Sequence, residues 1–177
     1  ATVDLSGAEL ELIDMERRSY RLKDALEQFA NSNDQNFAYV LIDCPPSLTL
    51  LTVNAMAAAD AVLVPLQCEC FALEGLTQLL KTIERVRVSL NPQLEVQGIV
   101  LTMYDKRNKL SDQVAADVRG HMGEKVYKTV IPRNVRISEA PSHGLPALIY
   151  DLKCPGSQAY IKLAGELIQR EQAREAA

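Results

Sequence analysis

Residues 37–51 read FAYVLIDCPPSLTLL, and this stretch decides the fold class of the chain. Its apolar run, residues 39–42, ends at an acid, Asp43. Such a run predicts a strand that is buried on both faces of a parallel sheet. Pro45 and Pro46 cannot continue a central strand, so the chain is expected to leave the sheet there in a stiffened loop. Asp43 is therefore predicted at the carboxyl edge of the sheet, where open α/β proteins bind ligands.

The carboxylate of Asp43 is the first candidate for chemistry. A carboxylate that a rigid turn holds at a sheet edge suits a hard cation such as Mg²⁺ on a nucleotide phosphate. An apolar run that ends in aspartate is also common in proteins without a metal, so this short pattern leaves a structural aspartate open.

Composition bounds the class of protein. The chain has 177 residues, 47% of them hydrophobic and 24% charged, which is ordinary for a soluble globular protein. It contains no eighteen-residue apolar run and no basic segment before an apolar core, so we expect neither a membrane span nor a signal peptide, and a cytoplasmic location. The net charge of −4 argues against coating nucleic acid with the whole surface, but a local basic patch stays possible. The four cysteines are interpreted as structural thiols.

Strands alternate with helices along the rest of the chain. Strands are predicted at 61–66, 96–103 and 126–131, and helices at 48–59, 73–90 and 111–122, the last capped by Ser111. Residues 133–141 are predicted to form a loop, and a terminal helix from Ser157 is predicted to bury Tyr160, Leu163, Leu167 and Ile168. The pattern predicts one α/β domain over residues 1–177, with a mostly parallel sheet flanked by helices.

Phosphate-binding and catalytic motifs are largely missing. A phosphate-binding turn needs glycines, because backbone N–H groups must surround the anion. None of the eight glycines forms GxxxxGK[ST] or GxGxxG. The two histidines, His121 and His143, belong to no metal-spaced cluster, and Ser47 lacks the GxSxG context of a nucleophile.

Two basic clusters follow predicted strands. Lys106, Arg107 and Lys109 follow the strand at 96–103, and Arg133 and Arg136 follow the strand at 126–131. If the strands are parallel, both clusters emerge at the same edge of the sheet. Together they could bind phosphate backbones without reading sequence. The alternative is a solvated charged face without a ligand.

Several long segments resemble the ParA/Soj chromosome-partitioning ATPases. They are YVLIDCPPSLTLL (39–51), PLQCECFALEGLTQLLKTI (65–83), GIVLTMYDKR (98–107) and IPRNVRISEAPSHGLP (131–146). The resemblance extends from about Leu5 to Ile168, and its motifs follow one another in the family's order. It implies a P-loop NTPase fold of the ParA/MinD-like kind.

The resemblance also implies a function and its partners. Members of this family are ATPases that form homodimers around ATP and Mg²⁺, bind DNA without sequence preference on the nucleoid in the cytoplasm, and respond to a ParB-type centromere-binding protein. Asp43 matches the Walker B acid that holds Mg²⁺ through water. The switch region is matched by Cys44, Pro45, Pro46 and Ser47. The segment beside the adenine is matched by Pro132, Arg133 and Asn134, and the DNA-binding arginines by Arg107 and Arg136.

The chain departs from the family's pattern in three ways. Cys70 replaces an expected aromatic residue, and His143 replaces a tyrosine. The family's N-terminal portion is missing: its first strand, its lysine-bearing P-loop and the next strand with its aspartate. The chain thus resembles an N-terminally truncated member, its C-terminal two-thirds. Phosphoryl transfer depends on positioning and charge stabilisation, so we expect these 177 residues alone not to hydrolyse ATP.

Two alternatives to a partitioning ATPase stay open. One is a self-contained, non-enzymatic module that binds DNA and a partner. The other is a MinD-like ATPase, which would carry a basic amphipathic membrane helix at its C-terminus. Residues 166–175 mix acidic and basic side chains, which argues against that helix and against membrane binding.

Overall fold

The computed structural model describes residues 3–32, 37–45, 47–69 and 71–176. Within these ranges it also describes the side chains of all residues except 3–6 and 175. The chain divides into two compact units. Unit 1 comprises Ala1–Val62 and Leu79–Glu95, and unit 2 comprises Leu63–Gln78 and Val96–Ala177. A single domain over residues 1–177 stays a prediction.

Helices and strands alternate through most of the chain. The helices are α1 (Val3–Leu12), α2 (Arg21–Ser32), α3 (Leu50–Ala58), α4 (Ala72–Ser89), α5 (Lys109–Met122), α6 (Val135–Glu139), α7 (Ala147–Tyr150) and α8 (Pro155–Glu175). The strands are β1 (Ala61–Gln67), β2 (Glu95–Tyr104) and β3 (Val126–Pro132). The predicted α/β class is confirmed, and these three strands lie within about a residue of their predicted bounds.

The sheet is parallel, with strand order β1-β2-β3. Strands β2 and β3 pair in parallel. Beside them, the N–H of Glu95 donates to the carbonyl of Asp60 at 3.1 Å, and the N–H of Cys68 donates to the carbonyl of Thr102 at 3.2 Å. From the first of these hydrogen bonds to the second, the residue numbers increase along both strands, so β1 and β2 are parallel as well.

The central strand predicted at residues 39–42 is wrong. This segment is irregular, and Val40 and Leu41 are 60% and 89% exposed. A strand is stabilised by ladder hydrogen bonds to a neighbour. Among the described residues of unit 1, only Ala61, Val62 and Glu95 lie in strands, and they belong to the sheet of β1, β2 and β3. An apolar segment does not form a strand when no neighbouring strand is present to pair with it.

Unit 1 is organised by two buried asparagines, Asn54 in α3 and Asn91, whose side chains bind backbone groups. The side-chain N–H group of Asn54 donates to the carbonyl of Arg18 at 2.8 Å, and its oxygen accepts from the N–H of Leu22 at 3.2 Å. This side chain therefore fixes the turn before α2 against α3. Asn91 donates to two carbonyls at the C-terminal end of α3, those of Met56 and Ala59. Each amide satisfies backbone groups that burial would otherwise leave unpaired.

A bulge interrupts β3 in unit 2. The strand register pairs Ile99 with Val126 and Leu101 with Val130, so two steps along β2 correspond to four along β3. A bulge of this kind takes backbone groups out of the ladder and leaves them in need of other partners.

The carboxylate of Glu166 on α8 supplies those partners. It accepts hydrogen bonds from the N–H groups of Lys128 and Thr129, both at 2.8 Å. Arg170, one turn later, donates to Glu166 at 2.9 Å and to the carbonyl of Val126 at 3.0 Å. We call this arrangement the α8 clasp. It attaches the terminal helix to the backbone of the bulge.

Tyr127 fills the space under the α8 clasp. Its ring is fully buried, and the guanidinium of Arg170 lies 4.0 Å from the ring centroid. Its hydroxyl donates to the side-chain oxygen of Gln97. A Cβ atom at Gly98 would lie 2.4 Å from the Tyr127 ring, so only glycine fits beneath it. The surrounding apolar cluster consists of Val100, Ile131 and Leu163, with Ile137, Ala159 and Leu167 packed against it.

Two predicted helix starts are wrong. α5 is capped by Asn108, whose side-chain oxygen accepts from the N–H of Leu110 at 3.0 Å, whereas Ser111 is buried inside the first turn. α8 begins at Pro155 rather than Ser157, because Cys154 serves as its N-cap. In both cases a residue a few positions upstream already satisfies the first free N–H groups of the helix.

Two further predictions for the C-terminal third need correction. The loop predicted at 133–141 contains α6 and the start of a 3₁₀ turn, Ala140–His143. In α8, Leu163 is buried as predicted, but Tyr160 and Ile168 are exposed. Periodicity identified the helix but did not fix which edge of its apolar stripe meets the sheet.

We expect Glu166→Gln to lower the free energy of unfolding by about 2 kcal/mol, since an amide cannot accept both backbone hydrogen bonds of the bulge. Burial raises the pKa of Glu166, but the hydrogen bonds from Lys128 and Thr129 and the charge of Arg170 outweigh it, and the pKa lies below its ordinary value of 4.5. The stabilisation is therefore complete above pH 4.5 and disappears as the pH falls through the lowered pKa.

Urea denaturation at neutral and acidic pH measures this effect. The matched control is Glu124→Gln, which removes an exposed carboxylate elsewhere in unit 2. Equal urea midpoints for the two variants at neutral pH would contradict the role given to the α8 clasp.

Candidate functional site

The predicted Mg²⁺ ligand, Asp43, lies in an exposed irregular segment instead of at the end of a strand. Partial desolvation, with a smaller contribution from the neighbouring Asp43 carboxylate, raises the pKa of the Cys44 thiol. The carbonyl of Ser47 accepts a hydrogen bond from the hydroxyl of Thr52 at 2.8 Å, which joins this segment to α3. Pro46 lies outside the described residues. The roles of Asp43 and of this predicted switch stay predictions.

The N-terminus of α3 follows this segment and is already occupied by a carboxylate. Glu9 accepts a hydrogen bond from the N–H of Leu50 at 2.9 Å. The hydroxyl of Thr49 is buried and has no partner among the residues described. An open cleft of about 700 Å³ lies here, lined mainly by apolar side chains, Leu48 and Val53 among them.

A helix N-terminus normally attracts anions, but the Glu9 carboxylate repels a phosphate at this one. The described residues around Asp43 thus do not form a phosphate cradle. Within the described part of the chain, no three His, Cys, Asp or Glu side chains come together as metal ligands.

A different site forms in unit 2, at the carboxyl ends of β2 and β3. Tyr104 pairs with Pro132 in the strand register, and the N–H of Arg133 donates to the carbonyl of Tyr104 at 2.9 Å. The loop after β2 and the loop after β3 therefore begin side by side. We call them the basic edge, defined by residues 105–109 and 133–136. The sequence predicted this common edge from the parallel order of the strands.

Arg107, the first predicted DNA-binding arginine, is paired with Asp105. Its Nε donates to one carboxylate oxygen at 3.0 Å and its Nη2 to the other at 2.9 Å, and its backbone N–H donates at 3.0 Å. The Arg107 side chain is nevertheless 89% exposed. The hydrogen bonds from Arg107, with a further contribution from the positive charge of Arg133, lower the pKa of Asp105 to about 2.

Arg136, the second predicted DNA-binding arginine, lies between two carboxylates. Its Nη1 is 3.0 Å from the Glu139 carboxylate, and its Nε is 3.7 Å from that of Asp151. Tyr150 also donates to Glu139, at 3.3 Å. Hydrogen bonding to Glu139 is the main cause of a raised pKa for Arg136. The two predicted DNA-binding arginines of the basic edge, Arg107 and Arg136, are thus engaged by acidic side chains of their own neighbourhood.

The three residues predicted beside the adenine lie where β3 turns into α6. Pro132 is the last residue of β3, and Arg133 follows it. The side-chain oxygen of Asn134 accepts from the N–H of Arg136 at 3.0 Å and caps α6. Capping α6 is a structural role of Asn134. A contact between the adenine and Asn134 or its neighbours Pro132 and Arg133 stays a prediction.

Two features at or next to the basic edge have no signal in the sequence. Met103, at the end of β2, has a φ of +53°. From Leu101 to Tyr104, three steps along β2 correspond to two along β3, so Met103 lies in a second bulge. The acidic partners of the arginines, Asp105 and Glu139, are the other feature, because charged side chains a few residues apart are common and do not reveal which of them pair.

Comparisons with known proteins agree with the fold. A family model described as an AAA domain matches residues 1–96. The chain is 70% identical over 176 residues to the chromosome partitioning protein ParA of Caulobacter vibrioides, covering 99% of this chain and 65% of that protein. It is 52% identical over 171 residues to the chromosome-partitioning ATPase Soj of Treponema pallidum, covering 97% and 66%. The chain thus spans about two thirds of the length of the curated relatives it matches.

Among solved structures, the chain is similar to cobyrinic acid a,c-diamide synthase from Mycobacterium smegmatis with bound ADP and magnesium. The two are 38% identical, with a TM-score of 0.77, and the match covers 97% of this chain and 61% of that one. No helix in the described part of the chain has the length and apolar character needed to span a bilayer.

We expect Arg107→Ala to raise the pKa of Asp105 from about 2 toward its ordinary value of 3.8, because the bidentate partner is removed. Carboxyl-carbon NMR during an acid titration measures this shift. Arg136→Ala, which removes the same charge from α6, serves as the control and should leave the titration of Asp105 almost unchanged. An unaltered Asp105 titration in the Arg107 variant would contradict the pairing.

Proposed function

Because the chain belongs to the AAA domain family and is closely similar to the ParA/Soj chromosome-partitioning proteins, we propose that it serves in a ParA-type partitioning ATPase. Such a protein is an ATP-dependent switch that dimerises and binds DNA without sequence preference. The observation that carries the proposal is the high identity to ParA over nearly the whole chain. A cytoplasmic location on the nucleoid and a ParB-type partner belong to the same proposal.

The nucleotide part of the proposal assigns roles to the residues that match the family's motifs. Asp43 would hold Mg²⁺ through water, and residues 44–47 would form the switch beside it. Pro132, Arg133 and Asn134 would pack beside the adenine of ATP. The similar diamide synthase, crystallised with ADP and magnesium, supports a nucleotide ligand for this fold. Bound magnesium would stabilise the negative charge that develops on the phosphates during phosphoryl transfer.

The DNA part of the proposal rests on the basic edge. Parallel strands β2 and β3 bring Arg107 and Arg136 to adjacent segments at the same edge of the sheet, together with Lys106, Lys109 and Arg133. Guanidinium groups bind phosphate oxygens in any sequence context, so contacts from this edge would position a duplex without reading its bases. A non-enzymatic DNA-binding module is the second candidate, since the basic edge is assembled while the described residues around Asp43 form no phosphate cradle.

We expect the 177-residue chain alone to show no ATP turnover, since no glycine-rich P-loop is present in its sequence. Phosphate release with ATP and Mg²⁺, with and without duplex DNA, is the measurement. Asp43→Asn controls for a contaminating ATPase, because residual activity that persists in this variant does not come from the proposed site. Turnover that the Asp43 substitution abolishes would refute the expectation.

We expect Arg107→Ala and Arg136→Ala to weaken duplex binding equally for unrelated sequences. Each substitution should reduce the slope of log K against log salt by about 0.9, the contribution of one phosphate contact. Fluorescence anisotropy with two duplexes of different sequence, over a salt series, measures both effects. Arg87→Ala, which removes an exposed arginine from α4, is the matched control. A sequence-dependent loss, or a slope equal to that of the control, would contradict non-specific binding by the basic edge.

A further inference from the structure

The charge balance of the basic edge is the starting point. Arg107 is neutralised by Asp105, and Arg136 is shared between Glu139 and Asp151. The two residues assigned to phosphate binding therefore already hold carboxylates, which present oxygen acceptors to a guanidinium with nearly the same geometry as a phosphate.

The pair of Arg107 and Asp105 is the more complete of the two. Both carboxylate oxygens of Asp105 accept from the Nε–Nη2 side of the guanidinium, which is one of the sides that a phosphate would use. Asp105 is only 24% exposed, whereas Arg107 is 89% exposed. The carboxylate is thus the anchored member of the pair, and the arginine is the member that can leave.

The ion pair of Arg107 and Asp105 persists over a wide pH range, but other anions can compete for it. With a pKa of about 2, the Asp105 carboxylate is ionised at neutral pH. An exposed ion pair is weak, however, and an anion that offers several phosphates can displace its acidic member.

We propose that Asp105 and Glu139 act as built-in phosphate mimics, which occupy Arg107 and Arg136 until a polyphosphate backbone displaces them. This inference rests on the proposed function, since it gives the DNA-binding edge an intramolecular competitor. The two carboxylates weaken binding to isolated phosphates. A duplex, which presents many phosphates at once, displaces both.

The test is a double-mutant cycle on Arg107 and Asp105, with fluorescein-labelled duplex DNA and inorganic polyphosphate as separate probes. The four proteins are the unaltered 177-residue chain, Asp105→Asn, Arg107→Ala and the double variant. Asparagine keeps the oxygen that accepts from the backbone N–H of Arg107, so the turn is preserved. Asp105→Ser is a second variant without the charge, and thermal unfolding verifies that each protein is folded.

Asp105→Asn should tighten the binding of both probes by about two- to fivefold at low salt, the range that release of one exposed ion pair allows. In the Arg107→Ala background the same substitution should have almost no effect. Asp112→Asn is the matched control, because Asp112 accepts from Tyr104 rather than from an arginine. Its effect comes from overall charge and should be the same with and without Arg107.

The outcomes separate this inference from the proposed function. Arg107-dependent tightening for polyphosphate without any duplex binding would support the phosphate mimic and overturn DNA binding. An unchanged or weaker affinity for polyphosphate in Asp105→Asn, or an equal gain in the Arg107→Ala background, would overturn the phosphate mimic even if the duplex binds. Glu139→Gln with Arg136→Ala repeats the cycle for the second pair and should give an Arg136-dependent gain that is smaller, because Asp151 stays 3.7 Å from Arg136.

Discussion

The α8 clasp is the interaction on which unit 2 depends. Glu166 accepts from two N–H groups that the bulge of β3 removes from the ladder, and Arg170 binds Glu166, the carbonyl of Val126 and the face of Tyr127. A bulge bends its strand, and a helix that binds the bulge backbone fixes both the bend and its own position. The direction in which β3 leaves the sheet, and with it the position of residues 133–136, where α6 begins, follows from this contact.

Much of the fold could be predicted from the sequence because its signals are local. Residues 61–66, 96–103 and 126–131 are apolar runs between turn residues, and each finds a neighbouring strand inside the chain. Their parallel order then places both basic loops at one edge, without any knowledge of side-chain contacts. The resemblance added what local patterns cannot give: a family, a ligand, and roles for Arg107, Arg133 and Arg136.

The remainder could not be predicted because it depends on partners in space. Residues 39–42 have the composition of a strand, but composition does not supply the neighbour that a ladder requires. Asn108 and Ser111 both have side chains that can cap a helix N-terminus. The path of the preceding loop determines that Asn108 caps α5. The positive φ of Met103 comes from a register shift between strands, and methionine carries no signal for it. The pairing of Asp105 with Arg107 likewise follows from the turn between them.

The exposed segment 37–42 has a consequence for the behaviour of the chain in concentrated solution. Its sequence, FAYVLI, is rich in β-branched and aromatic residues and contains no charge, proline or glycine. These are the properties of segments that form intermolecular cross-β contacts. A strand sequence that has no neighbouring strand among the described residues of its own molecule can pair with the same segment of another copy. A higher chain concentration should therefore favour cross-β association of the protein through this segment.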